Sequence, residues 1–311
     1  MTKTPKIGDT ALIIVESPFQ LLCAYEIITR YRLNYILAIR KSGLGRNDEQ
    51  LKMTAEALGL HYVEIVVRVR KFTQDILRAW PQIFSILARS YNHLLLGSYY
   101  SGFIRMLRRG IRADRTWLLD DGLASLKAQS DMIKSGRIYD LATCLELQEL
   151  PGQTILQHRL ESVAALNSII YTEDSLFIGQ PFVEKGIVSN AIYNDILGIS
   201  RRASANRLTY IPHRAENTQR VVELQRTFDL DIHYPSTCIE LDLVQRGQAP
   251  LQVFNVLSTA AFTIARMFPR TTVTIFPAPL KGVSPPWVEI IEYAYSIDNM
   301  NINDTVAARA I

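Results

Sequence analysis

Cysteine is scarce in this sequence. The three residues, Cys23, Cys144 and Cys238, are far apart, odd in number and without zinc-like spacing. That excludes a disulfide framework and a zinc cluster, and predicts small buried thiols in a reducing compartment. Long apolar runs are missing too. After the polar stretch Met1–Asp9, the run Ala11–Val15 is too short for a signal-peptide core or a membrane span. No later run reaches the roughly 18 apolar residues a spanning helix needs, so a cytoplasmic protein is expected. Neither G-x-x-x-x-G-K-[ST] nor G-x-G-x-x-G occurs, which disfavours an ATPase or a dinucleotide dehydrogenase. Charge of one sign is also lacking. A net charge of +4 permits anionic ligands but does not call for nucleic acid, and no nucleic-acid partner is expected. There is no internal repeat and no low-complexity segment.

What is present is an ordinary globular composition, 48% hydrophobic and 21% charged, over 311 residues. That length suits two domains. In the first half, strand-like runs at Ala11–Val15, Tyr35–Ile39, Tyr62–Val67, His93–Leu96 and Thr116–Leu119 alternate with helical patterns. The helices are expected at Phe19–Tyr31, Asn47–Leu58, Thr73–Ser90 (kinked at Pro81) and Ser101–Arg109. The second half repeats the rhythm. Strands are expected at Leu176–Ile178, Leu208–Pro212, Ile232–Tyr234, Gln252–Val256 and, last, Thr272–Phe276. Helices fall between them, up to about Leu197 and at Ala215–Phe228, Ile239–Gln245 and Thr259–Met267.

This alternation predicts βαβ units and parallel sheets, and the strands lack polar alternation because helices cover both faces. The expected fold is α/β, two Rossmann-like domains facing a cleft, the arrangement called GT-B in glycosyltransferases. Residues 1–160 form one domain and 161–311 the other, with Leu150–Leu166 as the hinge region and Asn299–Ile311 as a polar or irregular tail.

Ligands of open α/β sheets bind beyond the carboxyl ends of the strands. Five groups of polar residues fall there. Ser17 and Gln20 follow the first strand. Ser17 reads first as a helix cap, and alternatively both residues line a cleft and hydrogen-bond a sugar. Asp120-Asp121-Gly122 follow the fifth strand. Adjacent carboxylates repel, which raises the pKa of at least one or demands a polar partner. A strand-end carboxylate can serve as a general base, although Asp-Gly is also an ordinary turn. Metal binding by the pair lacks an evident third ligand. His213-Arg214 precede a helix, a place suited to a phosphate, though a lone histidine is more often structural. Ser258-Thr259 open another helix, as caps or as anion donors. Glu240 is an exposed helix residue or a ribose ligand. The basic run Arg105, Arg108, Arg109, Arg112 and Arg115 reads as a solvated face or a contact for an anionic surface. Trp80, Trp117 and Trp287 are expected in the core or an interface.

Taken in order, these motifs resemble those of bacterial sialyltransferases. The likeness is to the lipooligosaccharide sialyltransferases (glycosyltransferase family 52), with polysialyltransferases and marine-type sialyltransferases as relatives. Asp120-Asp121-Gly122 matches their acidic motif, His213 their His-Pro motif and Ser258-Thr259 their hydroxyl pair. Glu240 fits the place of the ribose-binding glutamate. The stretches from Ile13 to Leu22 and from Phe177 to Pro181 also look like that family. Arg214 departs from it, standing where the family has proline.

The resemblance implies an inverting transfer of sialic acid from CMP-sialic acid to a terminal sugar of a surface glycolipid or polysaccharide. It needs neither cofactor nor metal. Asp121 is the base, with Asp120 as its substitute, and His213 serves the phosphate. Ser258, Thr259, Arg214 and Glu240 bind the donor, and Ser17 and Gln20 the acceptor. Such a protein is cytoplasmic, with any membrane contact peripheral to the inner membrane. Two other readings remain: a GT-B transferase of CMP-Kdo or a UDP-sugar, and a non-catalytic scaffold of capsule or lipopolysaccharide assembly.

Overall fold

The computed structural model describes residues 4–43, 45–277, 292 and 300–303. The chain divides into two compact units. One comprises Met1–Leu166 with Ser236–Leu241, the other Asn167–Pro235 with Asp242–Ile311.

The first unit runs β1 (Thr10–Val15), α1 (Pro18–Tyr31), β2 (Asn34–Lys41), α2 (Gly45–Ala57), β3 (Val63–Val66), a 3-10 turn (Val69–Lys71), α3 (Phe72–Arg78) and α4 (Trp80–Leu87). It continues through β4 (Ser90–Leu96), α5 (Gly102–Arg108), β5 (Arg112–Leu119), α6 (Ala124–Ser135), β6 (Asp140–Thr143), β7 (Ile155–Gln157) and α7 (Glu161–Ala164). Its seven strands form a parallel sheet in the order β3-β2-β1-β4-β5-β6-β7. The order reverses between β1 and β4, so loops after those two strands part to opposite sides and leave a crevice. Leu12, Ile14, Leu94, Leu96 and Leu118 pack with Ile83, Ile86, Phe103 and Met132 in the core of this unit. Full burial of each such side chain contributes about 1.5–3 kcal/mol.

The second unit contains β8 (Ile170–Ile178), α8 (Asn190–Ala203), β9 (Leu208–Ile211), α9 (Thr218–Phe228), β10 (Asp231–Ile232), α10 (Ile239–Arg246), β11 (Gln248–Asn255), α11 (Thr259–Met267), β12 (Thr272–Ile275) and β13 (Met300–Ile302). The six strands are parallel, in the order β10-β9-β8-β11-β12-β13, reversing between β8 and β11. The first residues of α10, up to Leu241, belong to the first unit.

Several expectations need correction. The single helix expected over Thr73–Ser90 is two, parted at Ala79, and Ser90 already belongs to β4. Pro81 sits in the first turn of α4, where its missing N–H costs nothing. The stretch Leu150–Leu166, at whose end the chain passes into the second unit, is not purely irregular and carries β7 and α7. It is tied to α1 by Ser162 N–H donating to Glu26 Oε2 (2.7 Å) and by Arg30 pairing with Glu161 (2.9 Å). Thr272–Ile275 is not the final strand, since Met300–Ile302 pairs with it in what was expected to be an irregular tail. Trp117 is core, but Trp80 is half-exposed, and Trp287 lies outside the described residues. Part of the basic run is taken up internally: Arg115 pairs with Asp140, and Arg108 lies over the Tyr139 ring at 4.7 Å.

Candidate active site

The acidic pair lies at the carboxyl end of β5, and the structure separates its two members. Asp120 is buried and saturated. Its Oδ1 accepts from Ser125 Oγ (2.7 Å), and its Oδ2 from Thr143 Oγ1 (2.7 Å) and Cys144 N–H (3.0 Å). It fastens the ends of β5 and β6 together and, at 1% exposure, lies out of a substrate's reach. Asp121 is only partly buried and lines a pocket with Tyr99, Tyr100, Leu118, Ser125 and Ala128. Gln20 Nε2–H donates to its Oδ1 (2.7 Å), and Ser98 supplies a second side-chain hydrogen bond. Burial lifts the Asp121 carboxyl above the usual range against those two bonds, and the neighbouring Asp120 and Glu16 push the same way. A partly accessible carboxylate with a raised pKa and a fixed orientation has the attributes of a general base.

Gln20 is itself fixed. Its Oε1 accepts from Glu16 N–H (2.8 Å), and it lies 2% exposed against Gly97, the residue after β4. A Cβ at Gly97 would fall 2.1 Å from Gln20 Oε1, so only glycine admits this amide. Gly122 has φ +69°, the left-handed turn that releases the chain from β5 towards α6. Ser17 caps α1, accepting from Gln20 N–H at 3.4 Å. The Glu16 carboxylate accepts from Arg40 (2.6 Å) and Ser101 (2.8 Å) at the next strand end. Among the described residues, no three His, Cys, Asp or Glu side chains gather as a metal would require.

Glu240 also belongs to the first unit. It is 3% exposed, in the returning segment Ser236–Leu241, and its charge acts on the thiols of Cys23 and Cys238. Gln50 Nε2–H holds the same segment through the Thr237 carbonyl (3.2 Å). The exposed position weighed for Glu240 is therefore wrong. The apolar neighbours Ile239 and Leu241 turn this stretch inward, and both are buried. None of the three cysteines is in a disulfide; Cys23 and Cys144 are buried and Cys238 partly so.

In the second unit, His213 follows β9. Its Nδ1 accepts from Ala215 N–H (3.1 Å), which leaves the proton of the neutral ring on Nε2. Burial, then Arg214 and Lys185, lower its pKa to about 4. The ring is thus a neutral hydrogen-bond donor at neutral pH, and an arriving anion would favour its protonation. A buried network holds this loop. Glu216 accepts from His213 N–H (2.6 Å) and from Tyr210 Oη (2.5 Å). Tyr210 bonds Tyr193 (2.8 Å), and Arg220 pairs with Glu216 (3.4 Å) and Glu184 (3.6 Å). Gly179, after β8, lies against Glu216 and Tyr210, where a Cβ would come within 2.4 Å of Glu216 Oε2.

Ser258 and Thr259 start α11 beyond β11. Ser258 is the N-cap residue, yet its hydroxyl makes no capping hydrogen bond. Its N–H instead donates to the buried Asn255 (3.0 Å). The opening N–H groups of α11 and a hydroxyl not used as a cap are features that accept an anion. Arg214 is exposed beside His213. Within each unit the expected groups thus gather on the carboxyl edge of the sheet. Asp121, Ser17 and Gln20 do so in the first, and His213, Arg214, Ser258 and Thr259 in the second. Sequence reasoning missed Gly97, Ser98, Ser125 and Thr143 around the acidic pair, and Glu216, Tyr210 and Asn255 beneath the histidine and hydroxyls. Gly97, Ser98, Thr143, Tyr210 and Asn255 share one signal, a place at or just past a strand end, whereas Ser125 and Glu216 lie further along, in or before the next helix.

No protein-family profile matches the sequence, and no curated protein matches it. Solved structures do. The α/β-galactoside α-2,3-sialyltransferase of the luminous marine bacterium Photobacterium phosphoreum superposes with a TM-score of 0.56 at 11% identity, covering 97% of this chain and 100% of that one. The UDP-GlcNAc 2-epimerase of Methanocaldococcus jannaschii gives 0.55 at 10% identity, over 97% and 91%. The E. coli heptosyltransferase WaaC, with ADP-2-deoxy-2-fluoro heptose, gives 0.53 at 11% identity, over 97% and 98%. The likeness at such identities is one of fold. The chain is an α/β protein of the GT-B type with two Rossmann-like units. Its reaction has to be argued from its own residues.

Proposed function

We propose that this chain is an inverting glycosyltransferase that moves sialic acid from CMP-sialic acid to a sugar hydroxyl, with Asp121 as the base. The observation that carries the reading is the division of labour in the acidic pair. Burial raises both carboxyls, but Asp120 is spent on structure, whereas Asp121 is oriented by Gln20 and Ser98 and is partly accessible. The acceptor oxygen attacks the anomeric carbon and its proton passes to Asp121. The bond to the phosphate breaks, and its electron pair leaves with CMP. The charge developing on that phosphate would be met by His213 Nε2–H, the Ser258 and Thr259 hydroxyls, the start of α11 and Arg214. The glycan acceptor and the nucleotide sugar are the ligands, and the reading needs no cofactor or metal ion. The motif order resembling family 52 favours CMP-sialic acid as donor and a surface glycolipid or polysaccharide as acceptor, used in the cytoplasm.

Incubation with CMP-sialic acid and a lactose-type acceptor, followed by mass and linkage determination of the product, tests this directly. A sialylated product that disappears with Asp121→Asn is expected. Fold neighbours named for ADP- and UDP-sugars support a second reading, transfer from another nucleotide sugar such as CMP-Kdo or a UDP-sugar. Thermal shifts across a nucleotide panel separate CMP-linked from UDP-linked donors, because a ligand stabilises only the protein that binds it. Stabilisation by UDP alone supports a UDP-sugar, and where CMP stabilises, the product mass tells sialic acid from Kdo.

A further inference from the structure

Helices α3 and α4 carry an exposed apolar stripe. Leu77 is 71% exposed, Trp80 50% and Phe84 60%. The spacing of these three residues puts them on one side of the helical pair. The opposite side is the packed one, with Asp75, Ala79, Ile83 and Ile86 buried. Backbone bonds run across the junction, Ala79 N–H to Asp75 O (2.9 Å) and Ile83 N–H to Ala79 O (3.0 Å), so the two helices share their inward and outward faces.

Basic residues accompany the stripe. Arg70, Lys71, Arg78 and Arg89 are all exposed. The only acidic residue from 68 through 89 is Asp75, which is buried and neutralised by a bidentate bond from Arg68 (both contacts 2.8 Å). Among the described residues, the other exposed large apolar side chains fall singly or two within a few positions, as at Leu166 and Ile170, which is ordinary for a surface.

From this we infer that the α3–α4 face docks onto an anionic lipid surface. Leu77, Trp80 and Phe84 enter the headgroup–acyl boundary, and Arg70, Lys71, Arg78 and Arg89 meet the lipid phosphates. Charge complementarity selects this occupant. A protein partner would need only the apolar stripe, whereas a cationic border whose one acidic neighbour, Asp75, is shared by Arg68 and Arg78, beside exposed tryptophan and phenylalanine, matches an anionic interface. Among the described residues, no helix is long and apolar enough to cross a membrane, so this contact lies on the surface. The basic run from Arg105 to Arg115 is a poorer candidate, since its Arg108 and Arg115 are engaged by Tyr139 and Asp140. β3 and β5 are parallel strands of one sheet. The chain leaving β3 towards Arg70 and Lys71 therefore emerges on the same edge as Asp121, a disposition that suits a lipid-borne acceptor. Only that last point rests on the transferase reading.

Flotation of the full chain with vesicles tests the docking without any activity assay. Binding to phosphatidylethanolamine–phosphatidylglycerol vesicles is expected, with weak binding to pure phosphatidylcholine and release by salt. The triple variant Leu77→Ser/Trp80→Ser/Phe84→Ser changes only exposed side chains. It should lower binding to the anionic vesicles roughly tenfold or more. Arg78→Gln/Arg89→Gln should weaken binding and flatten its salt dependence. Tryptophan emission should shift to the blue on vesicle addition in the wild type and not in Trp80→Phe. Unchanged binding by the triple variant overturns the inference. So does a dimer in the wild type that this variant dissociates, with no vesicle binding by either. Sugar transfer to a soluble acceptor should persist in the triple variant, so failure of the docking and failure of the reaction are read separately.

Discussion

Gly97→Ala should damage both the stability of the first unit and its acid–base chemistry, through one side chain. The added Cβ would stand 2.1 Å from Gln20 Oε1, 2.6 Å from its Cδ and 3.1 Å from the Ile14 carbonyl. The amide must therefore retreat by about 1 Å to reach an ordinary contact distance. Retreat breaks the 2.8 Å bond from Glu16 N–H and misaligns the 2.7 Å bond to Asp121. Losing a neutral bond costs about 1 kcal/mol, and a bond to a charged group about 1.5–3 kcal/mol. The variant should thus lose about 2–4 kcal/mol, and its Tm should fall by about 5–15 °C. Turnover should drop on the order of 10²-fold, as when a catalytic group is misplaced by about 1 Å.

A double-mutant cycle isolates the cause. Gln20→Ala alone should cost a similar amount, because it removes the same two bonds. Once Gln20 is gone, Gly97→Ala should add little, leaving only the Ile14 contact, and the coupling energy should be about 1–3 kcal/mol. Denaturant unfolding of the four proteins measures it. Effects that add to within about 0.5 kcal/mol would refute the claim that this glycine exists to admit Gln20.

Asp121→Asn should cut kcat by about 10² or more while leaving CMP binding intact, measured by turnover and by CMP thermal shift. The folded pKa of Asp121 is raised, so its stabilising contribution is present below the ordinary carboxylate pKa and lost as pH rises through the folded value. The asparagine variant should accordingly gain stability over the wild type as pH climbs from the acid range to neutrality. Asp120→Asn should be destabilising at acid pH by about 1–3 kcal/mol, because an amide cannot accept all the donors that converge on the carboxyl group, and since burial raises the folded pKa of Asp120 too, that deficit should shrink as pH rises towards neutrality. For His213 the shift is downward, to about 4. Its contribution to stability is therefore present above the unfolded pKa near 6.5 and lost as pH falls from there towards 4. His213→Gln should lose that acid sensitivity, read from Tm against pH, and CMP binding by the wild type should take up protons between those pH values, measured by calorimetry in buffers of different ionisation enthalpy. Glu216→Gln should raise the KM for donor more than it lowers kcat, as expected of a positioning residue beneath the phosphate site; an unchanged KM would remove that role.

The βαβ rhythm was legible because doubly covered parallel strands read as short solid runs of Val, Ile and Leu. β1, β2, β4, β5, β9 and β11 all lie within or around runs visible by eye. The sequence yielded less where burial uses small or polar residues. α6 turns Ser125, Ala128 and Met132 inward, a face too weakly apolar to advertise a helix. β6, β7 and β13 are three or four residues long, too short to show any period. The strand-end rule found Asp121, His213 and the Ser258-Thr259 pair. It could not tell Asp120 from Asp121, because the donors that saturate Asp120 come from Ser125, Thr143 and Cys144, on α6 and the end of β6. The exposed alternative for Glu240 fails for a similar reason: residues more than a hundred positions earlier bury it.

The assignment of Ser236–Leu241 to the first unit bears on how the protein can be made. Stopping translation at Leu166 would yield a Rossmann-like body with a missing patch, open where Thr237, Ile239, Glu240 and Leu241 ought to lie. On the ribosome, that body stays unfinished until about half of its companion has been synthesised. Cutting the gene at the boundary between the halves should therefore give an aggregation-prone fragment, and a circularly permuted or co-expressed peptide bearing residues 236–241 is the natural remedy.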